Sequence, residues 1–184
     1  MALEVIKIFI SHTDDTKGEC IIAKEIIREE SELHYKKDGF NLEPFCWDDI
    51  PRGRGDPQED LVDPLIKDEH CKLIIMVLWT HFGNPTRKYA SGMEHEYNLV
   101  KENSKNILIF FSNKSVMPMN IDPEQLKKVQ EFKRRVRNER YCADCGDFGD
   151  EGEFKQKFRG QLVANIDKII SNNKKIDNDA LNNA

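Results

Sequence analysis

The sequence predicts an α/β domain in which a parallel sheet of about five strands lies between two layers of helices. The chain has 184 residues, of which 39% are hydrophobic and 33% charged, and a domain of this length can bury a core of its own. Short apolar runs alternate along the chain with longer segments of helical periodicity. The run at residues 72–79 is apolar after its first residue and rich in Ile and Val, as the central strands of parallel sheets are. Alternating strands and helices favour parallel pairing with helices on both faces of the sheet.

Four other segments complete the predicted sheet. Residues 5–10 form a short, mostly apolar run that is typical of a buried first strand, and residues 106–111 form another for the fourth. Residues 41–47 predict a second strand of modest strength. A weak edge strand is expected near residues 140–143.

The helices between the strands have identifiable start and stop signals. Ser91 precedes the helix after the third strand, and Glu94 stands three residues later, which is the spacing of a capping box. Residues 58–67 predict a short helix that Pro64 is expected to end or bend, because proline lacks the backbone N–H that a helix interior needs.

The end of the chain differs in composition from the rest. The last predicted helix carries apolar residues at helical spacing to about residue 170. Residues 171–184 are rich in Asn, Asp and Lys, which predicts a disordered tail or a linker. We therefore expect a domain at residues 1–170, followed in a longer protein by a sensor or effector domain.

Composition and charge exclude several function classes. The formal net charge of −5 gives no reason to expect a nucleic-acid partner. The longest apolar run, at residues 73–79, is far shorter than the ~20 residues that span a bilayer, and the first residues lack the pattern of a signal peptide. We therefore expect no membrane partner and a cytoplasmic location. Cys142 and Cys145 form a lone CxxC pair without further ligands nearby in sequence, which predicts ordinary thiols and no metal site.

The fold class also predicts where a ligand binds. In a flavodoxin-like sheet with the strand order 2-1-3-4-5, the ligand crevice lies at the carboxyl ends of strands one and three. Ser11 and His12 end the first strand, and residues 79–83 leave the third. The helix that begins near Ser91 points its N-terminus at the same crevice, and helix N-termini favour anions such as phosphates.

Two carboxylates on this helix are candidates for the crevice. Glu94 and Glu96 are two residues apart, so their side chains project about 200° apart round the helix. Glu96 falls at the edge of the apolar face marked by Met93 and Val100, whereas Glu94 lies farther round. A carboxylate beside apolar groups at a cleft is a candidate functional group. The alternative is an ordinary solvated glutamate.

Four sequence blocks resemble the Toll/interleukin-1 receptor (TIR) domain family. Residues 7–12 read KIFISH, like the first TIR strand, and residues 47–53 read WDDIPRG, like the TIR loop after the second strand. Residues 79–86 read WTHFGNPT and residues 91–96 read SGMEHE. These two blocks resemble a bacterial TIR-like subfamily with a Phe-Gly-Thr-Pro-Thr segment followed by Ser-Gly-Thr-Glu. The resemblance extends over about residues 5–168.

The resemblance implies an enzyme. Many bacterial TIR domains cleave NAD+ at the bond between nicotinamide and ribose, using one glutamate on the helix after this strand. That position matches Glu96 best, with Glu94 as the alternative. The resemblance thus implies NAD+ as substrate with no separate cofactor, products that are nicotinamide and ADP-ribose or a cyclic form, and a role in bacterial immunity against phage. It also implies self-association through TIR surfaces.

Further residues are candidates for contact with NAD+. Trp47, Trp79 and Phe82 can stack on a ring of the substrate, and core packing is the alternative for each. Arg52 or Arg54 can meet a phosphate, and an ordinary loop arginine is the alternative for each. The full predicted substrate-binding set is Ser11, His12, Trp47, Arg54, Trp79, Phe82 and Ser91.

Two other functions are compatible with the same sequence features. One is a non-catalytic TIR module that assembles through its loops. The other is an enzyme similar to nucleoside deoxyribosyltransferases, which also combine a flavodoxin-like fold with a glutamate on a helix.

Overall fold

One five-stranded sheet organises the chain. The computed structural model describes residues 3–50, 57–139 and 143–182. The sheet order is β2-β1-β3-β4-β5, and each neighbouring pair is parallel. This is the flavodoxin-like order, so the predicted fold class is confirmed. The strands are β1 Glu4–His12, β2 Phe40–Cys46, β3 Cys71–Leu78, β4 Asn106–Ser112 and β5 Ala143–Phe148.

Helices cover both faces of the sheet. They are α1 Lys17–Glu30, α2 Asp63–Lys67, α3 Gly92–Glu102, α4 Pro123–Glu139 and α5 Glu151–Asn182. The helices α1 and α5 pack against one apolar cluster of the sheet. The helices α2, α3 and α4 pack against a second cluster on the opposite face. The result is the three-layer arrangement that the alternating pattern predicts.

The central strand shows why its sequence is continuously apolar. Successive side chains of a strand point to opposite faces of the sheet. In β3, Ile75 and Val77 belong to the cluster under α1 and α5, whereas Ile74 and Met76 belong to the cluster under α2, α3 and α4. All four are fully buried. Because both faces are covered, neither set of alternate positions is free to be polar.

Two segments differ in detail from their sequence-based predictions. Pro64 lies in the first turn of α2, after a π-helical turn at Pro57–Val62, and there its missing N–H costs no hydrogen bond. The edge strand β5 begins at Ala143 and ends at Phe148, so it lies later than expected; residues 140–142 are outside the described part of the chain. In both segments, hydrophobic periodicity alone does not predict where the helix or strand begins and ends.

The last helix is longer than its apolar pattern. The helix α5 continues to Asn182, through most of the segment whose composition predicts a disordered tail or linker. Extending a formed helix adds one hydrogen bond for each residue fixed, which is how it can run beyond Ile170, the last core residue among the side chains that the structure describes. None of the helices in the described residues is both long enough and apolar enough to cross a membrane.

Candidate functional site

A cleft of about 1100 Å³ opens at the carboxyl ends of β1 and β3. The strand β1 contributes Ser11 and His12, and α3 contributes Met93 and Glu96. The loop between β3 and α3 forms much of the remaining wall. The cleft therefore lies where the strand order places a ligand crevice.

Glu96 is held between two hydrogen-bond donors at the wall of this cleft. Its side chain is buried, with the residue 7% exposed. Ser11 Oγ donates a hydrogen bond to Oε2, and Gln58 Nε2 donates one to Oε1 over 3.2 Å. These bonds connect α3 to the end of β1 and to the turn before α2, so they fix the orientation of the carboxylate.

Burial changes the acidity of this carboxyl. Removal from water raises the pKa of Glu96 to about 7, because a low-dielectric environment disfavours the charged form. The hydrogen bonds from Ser11 and Gln58 and the nearby His12 act in the opposite direction. The carboxyl is thus divided between its neutral and ionised forms near neutral pH.

Glu94 has a different environment. Its backbone N–H donates to Ser91 Oγ over 3.0 Å, as the predicted helix cap requires. Its carboxylate accepts from the Ala90 backbone N–H at 3.1 Å and pairs with Arg135 Nη1 of α4 at 2.6 Å. Of the two candidate carboxylates, the structure brings Glu96 and not Glu94 to the described lining of the cleft.

Three residues of the predicted substrate-binding set line the cleft: Ser11, His12 and Trp47. The His12 side chain is 4% exposed, and its Nδ1 lies 3.0 Å from the carbonyl oxygen of Thr13. Trp47 begins a short 3₁₀ turn directly after β2 and packs partly against the core under α2, α3 and α4.

Three other residues of that set are not among the described residues that line the cleft. Trp79 donates from Nε1 to the carbonyl oxygen of Lys114 over 3.1 Å, and its ring lies 4.6 Å from Lys114 Nζ. Phe82 is buried with its ring centroid 5.1 Å from that of Phe132. Ser91 is fully buried as the cap of α3. The partners of Trp79 and Phe82 lie far along the chain, where adjacency in sequence does not reveal them, whereas Ser91 forms the helix cap that the sequence predicts.

The remaining predicted residue, Arg54, lies outside the described residues. The cleft wall includes several residues that sequence reasoning did not select as site residues, among them Asp15, Gln58 and Arg87. Arg87 places an exposed guanidinium at the cleft. The sequence signal for Gln58 is only its position after a loop, since its contact with Glu96 joins residues 38 positions apart.

Asp15 braces the loop that leaves β3. Its Oδ2 accepts hydrogen bonds from the Thr80 backbone N–H at 2.8 Å, from Thr80 Oγ1 at 2.9 Å and from the His81 backbone N–H at 3.0 Å. Burial raises the pKa of Asp15, but hydrogen bonds from Thr13 and Thr80 outweigh that effect and hold the pKa below its ordinary value. In the folded chain Asp15 therefore fixes one wall of the cleft.

Solved structures similar to the chain share few identities with it. Flavodoxin 1 from Bacillus cereus is 18% identical, with a TM-score of 0.41, over 89% of this chain and 97% of that one. The flavodiiron protein from Giardia intestinalis is 10% identical, with a TM-score of 0.41, over 86% and 34%. Translation elongation factor SelB from Methanococcus maripaludis is 13% identical, with a TM-score of 0.37, over 74% and 28%. The chain thus spans about a third or less of the last two proteins.

No curated protein matches the chain. One family model matches residues 7–163, which includes all of β1 to β5 except the first residues of β1. The match also covers the cleft and Glu96. The protein therefore belongs to the family described as Domain of unknown function (DUF4062).

Proposed function

We propose that the chain is an NAD+ glycohydrolase that cleaves the bond between nicotinamide and ribose. The observation that carries the proposal is the position of Glu96, a buried carboxylate in the cleft at the strand ends. The TIR resemblance assigns the reactive glutamate to the same position. A single carboxylate in a largely desolvated setting is suited to stabilising positive charge.

The chemistry of NAD+ requires only one such group. The nicotinamide nitrogen is already cationic in NAD+, so it departs with the bonding electron pair as a neutral base and needs no acid to protonate it. This distinguishes the reaction from ordinary glycoside hydrolysis, which uses two carboxyl groups. The ionised Glu96 stabilises the oxocarbenium-like ribose, water adds to the anomeric carbon, and a proton is released.

Other cleft residues suit the rest of the substrate. The cleft volume of about 1100 Å³ lies just above the range for small-molecule sites, about 300–1,000 Å³, which leaves room for a dinucleotide. Trp47 offers an aromatic surface for a ring. Arg87 offers a guanidinium, whose planar donors match phosphate oxygens.

The same proposal includes the biological setting that the TIR resemblance implies. The domain acts in the cytoplasm in bacterial immunity against phage. It becomes active by self-association through its surface loops, with a sensor or effector domain further along a longer chain. NAD+ is the substrate, and neither nucleic acid nor membrane is a partner.

Incubation of the concentrated protein with NAD+ tests the proposal. Free nicotinamide and the ADP-ribose product are separated by chromatography, and the retention of the second product distinguishes linear from cyclic ADP-ribose. Deoxynucleosides with an acceptor base serve as the comparison substrates. We expect nicotinamide release from NAD+ and no base exchange. Base exchange alone supports the deoxyribosyltransferase alternative, and inactivity towards both, with the protein assembled, supports the interaction module.

A further inference from the structure

Three potential metal ligands converge beside the cleft, on His12, Cys20 and Cys46. An imidazole nitrogen of His12 and the two Sγ atoms all lie within 4.8 Å of one another. Both cysteines are buried, each residue being 2% exposed, and neither is in a disulfide. We call these three residues the His-Cys-Cys cluster.

The fold brings these residues together from three elements. His12 is the last residue of β1, and Cys46 is the last residue of β2. The two strands pair directly, with Ile10 opposite Cys46. Cys20 lies in the first turns of α1, which follows β1 across the same edge of the sheet. Because each ligand stands on a regular element, the cluster does not depend on a flexible loop.

The His12 ring is oriented as metal-binding histidines are. Nδ1 lies 3.0 Å from the carbonyl oxygen of Thr13. A carbonyl only accepts hydrogen bonds, so Nδ1 carries the hydrogen and Nε2 of the neutral ring has a free lone pair. Within the described residues, Nε2 is buried and has no hydrogen-bond partner. A backbone acceptor on one ring nitrogen is the usual support for a metal on the other.

Two carboxylates and a lysine surround the cluster. The Asp49 carboxylate accepts from the Cys46 backbone N–H at 2.8 Å and from Lys24 Nζ at 2.6 Å, so it neutralises that lysine and anchors the cysteine. Asp48 Oδ2 lies 3.8 Å from His12 Nε2 and lines the cleft. A small movement of the Asp48 side chain would therefore bring an oxygen ligand to the cluster.

We propose that the His-Cys-Cys cluster binds one Zn²⁺ ion through Cys20 Sγ, Cys46 Sγ and His12 Nε2, with Asp48 or water in the fourth position. Two thiolates and one imidazole are a typical zinc donor set. Sulfurs about 2.3 Å from zinc are about 3.8 Å apart in a tetrahedral site, so only small side-chain adjustments are needed. Two thiolates balance the charge of the ion, and their protons pass to solvent on binding.

This site shares His12 with the wall of the cleft but uses no part of the Glu96 carboxylate. It ties α1 to the ends of β1 and β2. Because the unfolded chain lacks a preformed site, a bound ion stabilises the fold.

Metal titration of the reduced protein tests the proposal. The metal-free chain is titrated with Zn²⁺ against a chromophoric chelator, and with Co²⁺ as a spectroscopic probe of thiolate ligation and tetrahedral geometry. We expect one ion per chain with thiolate-to-cobalt charge-transfer absorption. Separate changes Cys46→Ala, Cys20→Ala and His12→Ala each weaken binding at least tenfold.

Two control variants separate this site from other thiols. Cys71→Ala removes a buried cysteine of β3 outside the cluster, and a double variant replaces Cys142 and Cys145 with alanine. Both are expected to bind zinc like the original chain. The proposal is overturned if the double variant loses zinc binding while Cys46→Ala retains it. It is also overturned if the original chain takes up no stoichiometric zinc and gives no cobalt–thiolate band. This last measurement does not depend on whether any variant folds.

Discussion

Replacement of Glu96 with glutamine should change how stability depends on pH. The pKa of Glu96 is about 7 in the folded chain, against an ordinary value of 4.5. One pKa unit corresponds to about 1.4 kcal/mol, so ionisation of the buried carboxyl costs about 3 kcal/mol of folding free energy. Because the folded pKa is the higher one, the associated stability is fully present below about pH 4.5 and is lost as pH rises through about 7.

Urea unfolding of the two proteins across this pH range measures the effect. Near pH 4.5 the neutral carboxyl and the amide are similar, so the two free energies of unfolding should lie close together. Above pH 7 the Glu96→Gln variant should be more stable than the original chain by up to about 3 kcal/mol. Glu102→Gln is the matched control, because Glu102 is exposed on the same helix, and it should leave the pH dependence unchanged.

Parallel pH profiles for the original chain and Glu96→Gln would refute this reasoning. They would show that the carboxyl is not significantly desolvated in the folded protein. The argument for its burial at the wall of the cleft would then fail as well.

Three further predictions concern activity and the cleft wall. Ser11→Ala removes a hydrogen bond that favours the ionised form of Glu96, so the acid limb of kcat/KM should move to higher pH; an unmoved limb contradicts that role. Asp15→Ala leaves buried donors of Thr80 without an acceptor, so the free energy of unfolding in urea should fall by about 1–3 kcal/mol. The control Asp14→Ala, at an exposed residue, should lower it by less than about 0.5 kcal/mol. Equal losses in the two variants refute the proposed role of Asp15 in holding the loop. NAD+ turnover per molecule should rise with protein concentration, and flat activity from a monomer throughout by light scattering refutes self-association.

The sheet could be predicted because its signal is local. Residues 72–79 are apolar almost throughout, since both faces of β3 are covered. Burial on both faces favours an apolar residue at every position of a strand. The helix cap at Ser91 is equally local, because its hydrogen bond reaches only as far as Glu94. The strand order then placed the cleft, because alternating parallel strands allow few topologies.

The contents of the cleft wall were harder to predict. The wheel position of Glu96 put it at the edge of the apolar face, and that edge does meet the cleft. Its partner Ser11 is 85 residues away, and a contact over that separation cannot be predicted from hydrophobic periodicity. Trp79 and Phe82 follow the correct strand, yet each contacts a residue much later in the chain, Lys114 and Phe132 respectively. The type of a residue and its position after a strand therefore do not determine whether its side chain points into the cleft.

The assembly of His12, Cys20 and Cys46 shows the same limit. Their spacing in sequence matches no metal-binding motif, whereas the CxxC pair at residues 142–145 has a spacing that is found in metal-binding motifs. The cluster arises because β1 and β2 end side by side and α1 starts at the same edge. Only the topology makes three distant residues neighbours.

The central claim is that Glu96 performs the cleavage of NAD+, and one comparison tests it most directly. Nicotinamide release is measured for the original chain, Glu96→Gln and Glu94→Gln at equal, high protein concentration, with folding checked by circular dichroism. Loss of one charge-stabilising group typically lowers the rate on the order of 10²–10³, so we predict that Glu96→Gln loses measurable activity. Glu94→Gln should retain most of it, because Glu94 pairs with Arg135 away from the cleft. Full activity in a folded Glu96→Gln protein would contradict the claim.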